Sequence, residues 1–326
     1  MRYSGKFWRF WGCFSWPNTV FSGRFWGPIA WPFQSQFPSE DLKIEVAYLG
    51  LPRCAGQDCR HCGVLAFDRA PFVGISSKIL KMRLELSGRT HVGLVREKNE
   101  DSLLLAPELG LYVVCDGMGG HVGGQVASQL AVRTIDQVVR TGQPAQPPED
   151  RDVLVTAIRC ANYAIYTQAR QDPSLHNMGT TVVAVRQQGD VLNICHVGDS
   201  RIYRLAYHSG DLEQVTRDHS LVNLYEDNPE LAKRYGPPND NVIVRAVGLH
   251  ENVEVEYQSA PLRPGDVYLL CCDGLTDMVD DWILREVMSD AATAQNLDEA
   301  CDALIRAALS FGGIDNTTAI LLRVLP

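Results

Sequence analysis

The 326-residue chain has no apolar run near the roughly 18 residues that a membrane span needs. Its first twenty residues, MRYSGKFWRFWGCFSWPNTV, are basic and aromatic, but Trp, Ser, Asn and Pro interrupt them too early for the apolar core of a secretory signal. Basic residues are in deficit: 30 Lys+Arg stand against 39 Asp+Glu, a net charge of −9. The deficit belongs to residues 82–326, with 20 basic against 34 acidic side chains, whereas residues 1–81 carry 10 against 5. An acidic body of this kind excludes a general nucleic-acid phosphate binder and suits a collector of divalent cations. The ten cysteines are scattered, and Cys115, Cys195, Cys271 and Cys272 sit inside apolar runs. They read as buried free thiols of a reducing, cytoplasmic setting, with no disulfide framework.

Aromatic residues are also scarce after position 81. Five of the six Trp and nine of the ten Phe precede it. That leading stretch shows neither helical nor strand periodicity. Its CAGQDCRHC (Cys54, Cys59, Cys62) lacks a clear second pair of ligands for zinc. The first Met after Met1 is Met82, so residues 1–81 read as a disordered leader or an overlong start, and residues 82–326 as the catalytic body.

The body is regular. LYVVCDG and PGDVYLLCCDGL read as buried strands, and TTVVAVRQQGDVLNICHV as two strands around a Gly-Asp turn. SRIYRLAYHSGDLEQVT folds over Ser-Gly-Asp, and DNTTAILLRVL closes the chain as a strand. VGGQVASQLAVRTIDQVVRT and RDVLVTAIRCANYAIYTQARQ have helical spacing, the second with Asp152 as N-cap; DEACDALIRAALSFGG is a helix ending in Gly. Hairpins with helices outside predict an α+β sandwich rather than a parallel βαβ sheet.

Charge appears where these strands stop. Asp116 follows LYVVC, Asp273 follows VYLLCC, Asp199 follows NICHVG, Asp315 precedes the last strand, and Glu100 and Asp101 precede LLLA. One such Asp is ordinarily a turn former. Repeated at four places, the pattern predicts that strand ends converge and that hard cations with oxygen ligands neutralise the carboxylates. Five of the eight residues after Asp116 are Gly, which lets the backbone turn sharply and offers a carbonyl oxygen. No Gly-Lys-Ser/Thr follows, so this is not a nucleotide P-loop. CDGMGGH ends in His121, not Arg, so it is not a tyrosine-phosphatase Cys-x5-Arg loop either.

The segments VREKNEDS, VCDGMGGHVGG, MGTTVVAV, HVGDSRIYR, DHSLV, VIVRAVG, LLCCDGLTD and GGIDNTTAILL, in this order, resemble the metal-dependent protein phosphatases of the protein phosphatase 2C type, bacterial branch. The resemblance runs from about Leu86 to Val324 and leaves residues 1–81 unmatched. It implies a four-layer αββα sandwich, two antiparallel sheets flanked by helices, with a Mn²⁺ or Mg²⁺ pair at one end. Asp116 would bridge both ions, Gly117 would give a carbonyl oxygen, Asp273 and Asp315 would bind the other ion, and Glu100 would act through water. Asp199 with Asp273 would hold a third ion, and Arg96 the substrate phosphate. The implied reaction is direct hydrolysis of phosphoserine and phosphothreonine by a metal-activated water, without a phosphoenzyme. The implied partners are phosphoproteins and an opposing Ser/Thr kinase, with no nucleic acid and no membrane, and the chain acting as a monomer.

Two departures stand out. Met118 occupies the position where animal members carry the His that protonates the leaving alcohol, leaving His121, His219 or a water on the third ion as donors. LVNLYEDNPELAKRYGPPNDN falls at the family's mobile flap and matches it only loosely. Asn316 reads as a turn former that orients Asp315, and Thr180 and Thr181 read as strand residues. A catalytically dead binding module is the rival class, but such chains usually lose a metal Asp, and all are present here.

Overall fold

The computed structural model describes residues 82–119, 123–142, 152–239 and 242–326. The expectations for residues 1–81, Cys54, Cys59 and Cys62 among them, lie outside the described residues.

In chain order the elements begin with strands β1 (Arg83–His91), β2 (Ser102–Ala106), β3 (Leu111–Cys115) and the two-residue β4 (Gly117–Met118). Helices α1 (Gly123–Thr141) and α2 (Val153–Gln171) follow, then β5 (Gly179–Thr180), β6 (Val182–Gln188), β7 (Val191–Val197), β8 (Arg201–Leu205) and β9 (Leu212–Gln214). Two short helices, α3 (Leu221–Asp227) and α4 (Pro229–Tyr235), precede β10 (Glu256–Pro261) and β11 (Val267–Cys271). The chain ends with α5 (Asp273–Thr276), α6 (Asp281–Thr293), α7 (Leu297–Ser310) and β12 (Thr317–Leu325).

The strands form two five-stranded sheets, ordered β1-β12-β11-β8-β9 and β10-β7-β6-β3-β2. Every pairing in them is antiparallel. Side-chain alternation explains the layering. In β3, Tyr112 and Val114 point into a core shared with Tyr268, Leu270, Ile320 and Leu322 of the other sheet. Leu111, Val113 and Cys115 point the opposite way, against Ala131, Ile135 and Ile158 of α1 and α2. In β11, Leu269 and Cys271 face Leu284, Met288 and Leu304 of α6 and α7, while Tyr268 and Leu270 face the sheet that holds β3. Strands covered on both faces are apolar at every position, which is why LYVVC and VYLLC read as unbroken hydrophobic runs and are buried throughout. Three apolar layers thus lie between four layers of secondary structure, the expected αββα sandwich.

Asp152 caps α2 as expected, its side chain accepting from Leu154 N at 2.7 Å. The structure adds elements that the sequence pattern did not yield. β1 pairs with β12 along its whole length, from Arg83 opposite Leu325 to His91 opposite Thr317. β10 lines the edge of the other sheet, and the segment expected as a flap contains α3 and α4, which bury no residue. Among the described residues, no helix is long and apolar enough to cross a membrane.

Candidate active site

Antiparallel pairing decides where the acidic residues meet. Ser102 at the start of β2 lies opposite Cys115 at the end of β3, and Cys271 at the end of β11 lies opposite Ala319 near the start of β12. The strand that brings Asp116 to its end therefore stands beside the strand that begins just after Glu100 and Asp101. The strand that delivers Asp273 stands beside the one that begins just after Asp315. All open onto a cavity of about 740 Å³, lined by Arg96, Glu100, Asp116, Gly117, Asp273 and Asp315 among others. Asp199, which follows β7, does not line this cavity but is close enough to raise the pKa of Asp116.

The carboxylates are packed tightly. Burial is the main force holding Asp116 well above the usual carboxylate range, with Asp101, Asp273 and Asp199 adding repulsion. Burial also raises Asp273, which shares a side-chain hydrogen bond with Asp116 and feels Asp315. Asp199 is pushed up to about 7, first by burial and then by Asp273. Glu100 is raised by burial and pulled back by the Arg96 guanidinium. Arg96 pairs with Asp315 at 2.6 Å on the exposed side of the cavity.

This donor set fits hard divalent cations. Every side-chain donor among Asp116, Asp273, Asp315, Glu100 and Asp199 is a carboxylate, and Oδ1 of Asp199 and of Asp101 is buried without a hydrogen-bond partner. An oxygen buried this way is unusual unless something positive is meant to face it. Gly117 is required by space: a Cβ there would sit 2.1 Å from the carbonyl oxygen of Gly124 and 2.6 Å from that of Glu100. Only a bare backbone lets β4 thread between α1 and the β1–β2 loop.

Several residues gain a part that the sequence did not give them. Asp101 is buried and pushed up to about 7 by burial, with Asp273 and Asp315 repelling it and the Thr318 hydroxyl pulling the other way. That hydroxyl donates to Asp101 Oδ2 at 2.6 Å. Asp101, Asp116 and Cys272 bring ligand-type atoms within 4.8 Å of one another. The Cys272 sulfur is already committed, donating to Asn316 O and accepting from Thr318 N, and burial raises its thiol pKa well above the ordinary value. Asp101 is therefore the carboxylate of this trio that backs Asp116.

Thr181 and Thr180 are more than strand residues. Thr181 Oγ1 accepts from Asp116 N at 3.0 Å, and Thr181 N donates to Asp116 O at 2.8 Å. Thr180 Oγ1 donates to the same carbonyl at 2.7 Å. Asn316 does orient Asp315, whose Oδ1 accepts its N–H at 2.7 Å. Its side chain also ties three further points together, donating to Val92 O and Lys98 O and accepting from Glu100 N.

Of the proton donors weighed, His121 lies outside the described residues. His219 does not line the cavity. Its Nδ1 accepts from Gly198 N, and its Nε2 faces Glu256 at 2.9 Å in a stack with His196. Met118 does line the cavity.

A family model described as "Protein phosphatase 2C" matches residues 96–306. The chain belongs to the protein phosphatase 2C family. This phosphatase 2C chain is 36% identical over 245 residues to the serine/threonine protein phosphatase PstP of Mycobacterium tuberculosis, a match covering 74% of this chain and 45% of that protein. It is 36% identical over 239 residues to the serine/threonine phosphatase stp of Listeria monocytogenes, covering 72% and 93%. It thus spans about half the length of the mycobacterial relative and nearly all of the listerial one. The solved catalytic domain of PstP in complex with two manganese ions superposes with a TM-score of 0.63 at 36% identity, covering 75% of this chain and 100% of that one. PppA of Pseudomonas aeruginosa superposes at 0.62 with 35% identity, covering 74% and 98%. The αββα architecture of this phosphatase 2C chain is that of its family.

Proposed function

We propose that this chain is a divalent-cation-dependent phosphatase that removes phosphate from phosphoserine and phosphothreonine in proteins, opposing a Ser/Thr kinase in signal transduction. The observation that carries the reading is the convergence of Asp116, Asp273, Asp315 and Glu100 with Arg96 in one cavity of a phosphatase 2C chain.

Mn²⁺ or Mg²⁺ would be held by Asp116, the Gly117 carbonyl, Asp273 and Asp315, with Glu100 through water; Asp199 with Asp273 would make a third place. Bound there, the cations supply Lewis acidity toward water and phosphate oxygens. The chain's own groups do the rest. Thr180 and Thr181 fix the backbone of Asp116 from two sides, so its carboxylate is aimed before substrate arrives. Asp101 lies behind it, fixed by the Thr318 hydroxyl. Arg96 reaches the cavity as a planar fork suited to a phosphate's oxygens. The thiols of Cys115 and Cys272, the cysteines next to Asp116 and Asp273, are buried and raised, so neither supplies a thiolate to take the phosphoryl group, which supports direct attack by water. With His219 engaged elsewhere and Met118 in the cavity wall, solvent is the proton source that the described residues favour. The chain acts in the cytoplasm as a monomer.

Asp116→Ala tests the reading. It should remove nearly all phosphate release from a phosphothreonine peptide, by several orders of magnitude, while Arg96→Ala should chiefly raise KM. Undiminished turnover by Asp116→Ala contradicts it.

A further inference from the structure

Two loops meet at one rim of the cavity. The first leaves β1 and carries Leu94 and Val95; the second joins α7 to β12 and carries Phe311 and Ile314. They are stitched to each other. Leu94 N donates to Gly313 O at 2.7 Å, and Arg96 pairs with Asp315 at 2.6 Å. A Cβ on Gly313 would lie 3.2 Å from Leu94 Cγ. Gly93 makes the approach possible: its φ is +85°, and a Cβ there would fall 2.4 Å from the Asp315 carbonyl oxygen.

The stitching leaves large apolar side chains in water. Leu94 and Val95 are each 64% exposed, Phe311 57% and Ile314 55%. Single exposed apolar residues are ordinary, but four on two loops joined at Leu94–Gly313 and Arg96–Asp315 make this rim apolar, and apolar rims of this kind mark docking sites. The next residue on each loop is cavity wall: Arg96 follows Val95, and Asp315 follows Ile314. The charged interior is thus continuous with an apolar lip. An extended peptide advances about 3.3 Å per residue. A phosphorylated hydroxyl held at Arg96 therefore has a sequence neighbour within reach of that lip.

We infer that Leu94, Val95, Phe311 and Ile314 dock an apolar side chain adjacent to the phosphorylated residue, so that the enzyme selects phosphoprotein segments with Leu, Ile, Val or Phe beside the phosphoserine or phosphothreonine. The inference rests on the phosphatase reading above.

The test uses the full chain with Mn²⁺ and three substrates: a phosphothreonine peptide flanked by Leu, the same peptide flanked by Ser, and p-nitrophenyl phosphate. Wild type should favour the Leu-flanked peptide in kcat/KM. The double variant Leu94→Ser, Ile314→Ser should lose about tenfold on that peptide. It should stay within about twofold on the other two substrates, with Phe311→Ser as a second, independent variant. Equal use of both peptides by wild type, a comparison that needs no variant, overturns the inference and leaves the phosphatase standing. An equal loss on all three substrates makes the rim structural and also overturns it. Sedimentation showing that the variants split a dimer while peptide kinetics are unchanged assigns the rim to a second copy and overturns it. No metal-dependent hydrolysis of any substrate by wild type defeats the phosphatase reading itself.

Discussion

Replacing Thr181 with Val removes one oxygen and almost no volume. Thr181 is 1% exposed, and its hydroxyl accepts from Asp116 N and pairs with Ser200 Oγ at 2.7 Å. Valine leaves the Asp116 N–H and the buried Ser200 hydroxyl without that partner. At about 1–3 kcal/mol for each orphaned group, the loss is near 3 kcal/mol, or roughly 10 °C in Tm for a body of this size. The loss extends beyond stability, because the group released is the backbone of the central carboxylate. Outer hydrogen bonds of this sort are worth about 10–100-fold in metal affinity. Thr181→Ser keeps the oxygen and gives up a methyl group that packs against Gly198, at about 1 kcal/mol. Scanning calorimetry with Mn²⁺ titration of the three proteins separates these terms. Valine should be the least stable and bind Mn²⁺ at least tenfold more weakly, with serine close to wild type. A valine variant that binds Mn²⁺ like wild type refutes the idea that Thr181 positions Asp116.

Two other perturbations follow from the charges. Asp199 sits at about 7 against an ordinary carboxylate value of 3.8, so between those values the folded chain holds a proton that the unfolded chain has lost. Its contribution to the metal-free protein is therefore intact below about pH 4 and lost as pH rises through 7, at up to about 1.4 kcal/mol per pH unit. Urea unfolding without metal should show Asp199→Asn gaining on wild type from pH 4 to 7, and a pH-independent difference would contradict this. At the opposite end of the sandwich, Asp266 is 1% exposed, paired with Arg204 at 2.7 Å and accepting from Tyr207 N. Asp266→Ala removes the nearer of two carboxylates around a 20%-exposed guanidinium, leaving Glu213 at 3.9 Å, and takes the acceptor from Tyr207 N. It should cost about 2–3 kcal/mol in unfolding free energy while leaving kcat unchanged below the melting transition; a loss under 1 kcal/mol would contradict it.

The residues most legible in the sequence were those at which an unbroken apolar strand stops in a carboxylate beside Gly. Asp116 and Asp273 have this form, and the antiparallel register brings their strand ends to one cavity. β1 carries Gly88, which weakens its strand pattern. In the sheet that Gly allows close approach, since a Cβ there would lie 3.1 Å from Leu105. β10, EYQSAP, is almost wholly exposed and takes its strand form from pairing with β7, so no hydrophobic pattern announces it. α6 carries a stripe of Leu284, Met288 and Ala291 that its sequence spacing makes readable. The long-range partners of Thr181, Asn316 and Asp101 could not have been read from spacing. They are 65, 216 and 217 residues away, at Asp116 N, Glu100 N and Thr318 Oγ1. A hydroxyl or amide has no local pattern that reveals a partner so distant.

Phosphate release by the full chain from a phosphothreonine peptide, measured with EDTA, with Mg²⁺ and with Mn²⁺ and set beside Asp273→Asn, tests the phosphatase assignment most directly. Turnover that appears with a divalent cation, vanishes with EDTA and vanishes in Asp273→Asn is the expected result. A folded chain that releases no phosphate under any cation, or one that is as active with EDTA as with Mn²⁺, would contradict it.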